Sequence, residues 1–238
     1  RRRSSTEVGG AAHFYLPGVC QGEPRSRRWR VGITAAAMPG STALTTVRDV
    51  VDGVSRSLGV VDLIHSLLPD QSALLFGLLT QLGDVWFLFG ATVVAYLFRP
   101  SDRDRVAVVL GLALATAALV EALKAVFGLP RPTTPLATED VYPAALRGVF
   151  EATATGGGHG FPSGHATLAT VVLLGLAGAI RVGDARWRWL IASGLVALVA
   201  LTRVALGVHY LVDVVVGVAA GFAGLWLFQR VARKGFRP

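Results

Sequence analysis

From residue 85 to residue 228 the chain consists mainly of apolar runs, separated by short clusters of arginine and by one long glycine- and proline-rich loop. A spanning helix needs about 20 mostly apolar residues, with roughly 17 to 25 allowed. Five segments meet or approach that length: Val85–Phe98 with its preceding turn, Val106–Leu123, Ala166–Ile180, Trp189–Leu206 and Leu211–Phe228. All are rich in Ala, Gly, Val and Leu, and such small residues let membrane helices pack closely. The fold class expected is all-α, an integral membrane helical bundle. Composition agrees, with 53% apolar and 16% charged residues where a soluble domain carries about 25% charge. A water-soluble globule and a disordered chain are both excluded. The net charge of +8 sits in clusters between apolar runs, the pattern of membrane loops, so nucleic-acid binding is set aside. Cys20 is the only cysteine, which leaves no disulfide framework and no cysteine metal site.

A weaker segment, Leu58–Leu82, is apolar at Val60, Val61, Ile64, Leu67 and Leu68 and again at Leu74–Leu79, but Asp62, His65, Pro69 and Asp70 interrupt it. It reads as a poor span or as an amphipathic helix in the interface. Lysine and arginine in the loops orient the bundle. Three arginines in Arg99–Arg105, three in Arg181–Arg188 and four cations in the Arg230–Arg237 tail belong on the cytoplasmic side. Arg48 and Arg56 join them only if the weak segment also crosses, so the expectation is six transmembrane helices, five clear and one weak. Residues 1–37 are Arg-, Gly- and Ser-rich without helical periodicity, and Met38 is the only methionine. Translation is expected to start at Met38, with 1–37 a misassigned extension and 38–238 the transmembrane domain; the alternative is a basic tail on anionic headgroups.

With this topology, three polar clusters meet on the extracytoplasmic face. In Lys124-Ala-Val-Phe-Gly-Leu-Pro-Arg131-Pro132, Gly128, Pro130 and Pro132 end a helix, so Lys124 falls in its last turn and Arg131 just above. Two cations held this way suit an anion, or else they are anchors that snorkel to headgroups. In Gly156-Gly-Gly-His159-Gly-Phe-Pro162-Ser163-Gly164-His165, a helix start offers unpaired backbone N–H groups beside a hydroxyl, a ready anion site. Ser163 also reads as an ordinary N-cap and His165 as an interfacial histidine. In Thr202-Arg203-Val-Ala-Leu-Gly-Val-His209-Tyr-Leu-Val-Asp213, a helical spacing of four puts the carboxylate one turn from the imidazole. Ionisable groups inside apolar sequence are costly and point to function, although a structural Arg203–Asp213 pair is the plainer reading. Glu121 is placed to pair with Lys124, and Asp84 to cap a helix start.

Three cations, a hydroxyl, open backbone donors, two histidines and a carboxylate suit a phosphoryl group. Arg and Lys stabilise its three oxygens in the transition state. One histidine attacks and the other protonates the leaving oxygen, so a phosphohistidine route without metal is expected. No paired carboxylates suited to magnesium are visible.

Lys124-x6-Arg131-Pro132, Pro162-Ser163-Gly164-His165 and Thr202-Arg203-x5-His209-x3-Asp213 resemble the three signatures of the phosphatidic acid phosphatase type 2 and haloperoxidase superfamily. The resemblance covers Lys124–Asp213 in order and spacing. It implies a lipid phosphatase of six transmembrane helices, in the plasma membrane, with the site facing outward. It implies His209 as nucleophile, Asp213 orienting it, His165 as general acid, and Lys124, Arg131 and Arg203 as the phosphate clamp, with Ser163 and the Gly164 amide assisting. No cofactor and no metal are expected, and the expected partners are a lipid phosphate monoester or isoprenyl diphosphate and the surrounding membrane lipids. Thr202 stands where the family usually has serine. Two alternatives stay open: a transferase that passes the phosphoryl group to an alcohol, and a non-catalytic binder or carrier of anionic lipids. Tyr142, Arg147 and Glu151 in the long loop read as a cover or a headgroup contact, or as loop filler.

Overall fold

The computed structural model describes residues 41–132, 136, 143, 148 and 158–235. The extension 1–37 with Cys20, the expected start at Met38, and Tyr142, Arg147 and Glu151 lie outside the described residues. Among the described residues the fold is all-helical with no strand. The helices are α1 (Ser41–Ser57), α2 (Val60–Leu67), α3 (Ser72–Thr80), α4 (Val85–Phe98), α5 (Arg103–Phe127), α6 (Gly164–Ala179), α7 (Ala185–Ala205) and α8 (Leu211–Gly235).

Among the described residues three stretches are long and apolar enough to cross a membrane: Pro100–Phe127, Ala185–Ala205 and Leu211–Arg230. A fourth is counted if Ser72–Gly83 and Val85–Phe98, which meet at 48°, form one broken span. Asp84 makes that break by capping α4, accepting the Trp86 N–H at 2.8 Å, as its position before an apolar run leads one to expect. The shorter apolar helix α6 lies at the centre, with Ala166, Ala169 and Val171 wholly buried. It packs against α4, α5, α7 and α8. At 1.5 Å per residue α6 is about 24 Å long, less than the hydrocarbon thickness of about 30 Å. Its polar start is buried in the bundle, with Ser163 fully covered.

The sixth crossing expected at Leu58–Leu82 is not confirmed: among the described residues no single helix of that segment is long enough to span a membrane by itself. Leu68 turns extended ahead of Pro69, as a residue before proline is forced to do, and splits the segment into α2 and α3 of 8 and 9 residues. Both ends of the segment stay at one end of the bundle. Arg56, Val60 and Asp62 line a pocket with Tyr210, and a Cβ on Gly83 would lie 3.4 Å from His165. Arg56 therefore lies at the site end, not with the basic loops. Those loops share the other end, where Arg105 donates to the Ala179 carbonyl at 3.0 Å and Arg188 to that of Ala177 at 3.2 Å.

The contact between α6 and α8 sets the geometry of the site. A Cβ on Gly217 would lie 2.7 Å from the Ser163 carbonyl oxygen, and one on Gly221 would lie 2.7 Å from Thr170 Cβ. Only glycine allows this approach, the small-xxx-small arrangement by which membrane helices close on one another. It brings the start of α6 against the first turns of α8, where the Ser163 N–H donates to the Asp213 carbonyl at 3.0 Å.

Candidate active site

Each site side chain is placed by a helix end. α5 stops at Gly128, whose φ of 58° is left-handed and whose N–H returns to the Lys124 carbonyl at 2.9 Å, a glycine C-cap. Lys124 thus falls in the last turn, as expected. Its ammonium pairs with Glu121 at 2.7 Å and lies 3.5 Å from where a Gly164 Cβ would be, so it faces the start of α6. The returning end of the long loop, from residue 158, closes over the same place, with the Gly160 N–H on the Leu129 carbonyl at 2.8 Å and Phe161 edge-on to Phe127. Arg131 is half-buried and donates to the Val208 carbonyl at 3.3 Å. That contact ties the first cluster to the third. Neither cation reaches out to lipid as a snorkelling anchor does.

At the start of α6, Ser163 is fully buried in extended conformation and makes no cap bond with its side chain. Its Oγ and the His165 Nε2 are buried without a hydrogen-bond partner, as is Arg131 Nε. A buried polar atom left unpaired costs about 1–3 kcal/mol. Three such atoms at one end of the bundle mark a place where an oxygen-rich anion is stabilising.

His209 is not on a continuous helix. α7 ends at Ala205, and the chain turns through Gly207, whose φ is 67°. The N–H groups of Val208 and His209 both fall on the Arg203 carbonyl at 3.3 Å. Asp213, in the first turn of α8, reaches back and accepts the Tyr210 N–H at 2.9 Å. This is one half of a capping box, so the helix start itself aims the carboxylate. Its Oδ2 lies 3.4 Å from His209 Nδ1, longer than an ordinary hydrogen bond but facing it, which leaves Nε2 as the nitrogen on the opposite side of the ring. Arg203, 2% exposed, donates to Thr80 Oγ1 at 3.1 Å. Thr202 spends its hydroxyl on the Val199 carbonyl at 2.7 Å within its own helix.

Burial, and then the charges of Arg203, Arg131, His165 and Lys124, hold the His209 imidazole well below the ordinary histidine value of 6.5. It is therefore neutral, with a lone pair available, at neutral pH. Burial also draws Arg131 below the usual arginine value, against the opposing pull of Asp213 and Glu121. No cluster of three or more His, Cys, Asp or Glu able to hold a metal occurs among the described residues.

The eight residues singled out by spacing, Lys124, Arg131, Ser163, Gly164, His165, Arg203, His209 and Asp213, thus gather at one end of the bundle. Thr80, Gly217 and Gly221 were not singled out. Thr80 gives no local signal; Gly217-x3-Gly221 is a readable small-residue spacing within a membrane-length run.

A family model described as the PAP2 superfamily matches residues 105–237, more than half of the chain. Among solved structures, the chain superposes with a TM-score of 0.61 on the first transmembrane PAP2-type phosphatidylglycerolphosphate phosphatase from Bacillus subtilis, at 21% identity over 84% of this chain and all of that one. With LpxE of Aquifex aeolicus the TM-score is 0.52, at 23% identity over 72% of this chain and 94% of that one. No curated protein matches. At these identities the likeness to the solved structures is one of fold. The apolar helices and the shared membrane architecture make this a multi-pass membrane protein, and the chain belongs to the PAP2 superfamily.

Proposed function

We propose that residues 38–238 form a metal-independent membrane phosphatase that hydrolyses a lipid phosphate monoester or isoprenyl diphosphate through a phosphohistidine. The reading is carried by one observation: a buried His209, Nδ1 facing Asp213, stands among three cations and buried polar atoms that have no hydrogen-bond partner. The terminal phosphoryl oxygens lie against Lys124, Arg131, Arg203, the Ser163 hydroxyl and the Gly164 amide. The His209 Nε2 lone pair attacks phosphorus as the P–O bond to the leaving group breaks, and His165, as its imidazolium, gives a proton to the departing oxygen. Asp213 stabilises the imidazolium-like state of His209. Water then attacks phosphorus, His165 takes its proton, the P–N bond breaks, and phosphate leaves with both histidines restored. The basic loops at the far end favour a site on the extracytoplasmic face of the plasma membrane.

The test is phosphate release from detergent-solubilised protein with EDTA present, for wild type and His209→Ala, across a panel of lipid phosphates and diphosphates. The reading expects EDTA-insensitive release that His209→Ala abolishes. Equal release by the two proteins ends the mechanism. Product analysis with an added acceptor alcohol separates hydrolase from transferase. A non-catalytic anion binder would keep its function in His165→Ala and His209→Ala but lose it in Arg131→Ala.

A further inference from the structure

The turn that carries His209 borders a second environment. The charges that bear on His209 are Arg203, Arg131, His165 and Lys124, whereas those around Tyr210 are Arg56, Asp52, Asp213 and Asp62. The Tyr210 side opens on a pocket of about 230 Å³ lined by Ser55, Arg56, Asp62, Pro132 and Tyr210 among others. Ser55 is 6% exposed, and its Oγ lies buried at this pocket with no hydrogen-bond partner. Arg56 pairs with Asp52 through Nε at 3.0 and 3.1 Å, which leaves its two terminal nitrogens as donors. Val60 is shared with an adjoining groove of about 370 Å³ between α2, α7 and α8, formed only by apolar side chains such as Ile64, Ala200, Val204, Val214 and Val218. The His65 ring lies 3.1 Å from the Ala205 carbonyl, fixing α2 over the end of α7.

We propose that this pocket and groove hold one zwitterionic phospholipid that the protein binds but does not hydrolyse. Charge complementarity chooses the occupant. One arginine with two aspartates offers donors for a phosphodiester and a carboxylate, Asp62, for an ammonium group. An anionic headgroup would meet a net negative surround. The buried Ser55 hydroxyl supplies a further bond to the phosphodiester, and the groove takes an acyl chain. The groove lining runs from Leu211 to Val218 on α8, about 10 Å of helix, so the chain lies along the helix that carries Asp213. A bound lipid thereby braces α2 against the first turn of α8, where Asp213 faces the nucleophile. The substrate phosphate belongs on the Arg131 and Arg203 side, so the two ligands do not compete.

The test titrates phosphatidylethanolamine or phosphatidylglycerol into the full chain in detergent, reading thermal unfolding and bound lipid by native mass spectrometry. Saturable stabilisation by one phosphatidylethanolamine is expected, with weaker binding of phosphatidylglycerol. Arg56→Gln and Asp62→Asn, both at exposed positions that tolerate change, are each expected to weaken binding roughly tenfold. Ala200→Trp, which fills the groove, is expected to abolish it. Orthovanadate, a mimic of the transferred phosphoryl group, should leave the affinity unchanged. Equal stabilisation by both lipids with no effect of Arg56→Gln or Asp62→Asn would reduce the site to ordinary lipid contact and overturn the proposal. Displacement of phosphatidylethanolamine by a lipid phosphate monoester would also overturn it, by assigning the groove to the substrate.

Discussion

Replacing Gly217 by alanine tests whether the close approach of α6 and α8 sets the site. The added Cβ would lie 2.7 Å from the Ser163 carbonyl oxygen and 3.0 Å from Thr167 Oγ1, where ordinary contact begins at 3.4 Å. Because the nearer atom is backbone, it cannot swing aside, and the helices must part by 3.4 − 2.7 = 0.7 Å. Overpacking of this kind costs about 1–3 kcal/mol, offset by about 0.5–1 kcal/mol from removing a helical glycine. The shift falls between Ser163 and Asp213, across which the two histidines must act together. A misplacement of about 1 Å can cost roughly 100-fold, so Gly217→Ala should lower kcat about 10- to 100-fold. Gly224→Ala is the control, since nothing lies within 4 Å of its Cβ; it should keep full activity and gain up to about 1 kcal/mol. Phosphate release at saturating lipid and thermal unfolding in detergent read the two effects. Wild-type kcat for Gly217→Ala, with a melting temperature matching that of Gly224→Ala, would refute the reasoning.

The lowered His209 value has a direct reading by imidazole NMR, where its titration midpoint should fall below 6.5. Between that midpoint and 6.5 the unfolded chain binds the proton and the native state does not, so this group's contribution to stability is present above pH 6.5 and lost as pH falls. Thr80→Val removes the hydroxyl that holds Arg203 while keeping the shape. A bond to a charged group is worth about 1.5–3 kcal/mol, so kcat/KM should drop roughly 10- to 100-fold, and an unchanged kcat/KM would deny Thr80 its positioning role.

Local rules made α5, α7 and α8 legible, because apolar runs of membrane length bounded by arginine leave little choice of structure. They also gave the Gly128 stop, the Asp84 cap and the Glu121–Lys124 pair, each decided within one helical turn. The ionisable site residues were legible because such groups within or beside apolar spans are costly, whereas Ser163 and Gly164 stood out only through the Pro-Ser-Gly-His motif that contains them. What stayed hidden depends on parts of the chain far from each other. The Leu58–Leu82 segment has the apolar content of a span, and Pro69 was visible, but whether the chain crosses or doubles back is decided by contacts of α2 and α3 with the site end of α7 and α8. The Arg203–Thr80 bond links residues 123 apart. The His209–Asp213 pairing was expected from a helical spacing, yet it arises from a turn followed by a reversed capping bond, two routes that put the same groups together.

The account stands or falls on whether His209 carries the phosphoryl group. Turnover of a lipid phosphate labelled with phosphorus-32, quenched in alkali where phosphohistidine survives, and peptide mapping of the trapped protein answer this directly. The account predicts label on the peptide containing His209 in wild type and none in His209→Ala, which should also be inactive. Label on another residue, or steady turnover by His209→Ala, would contradict it.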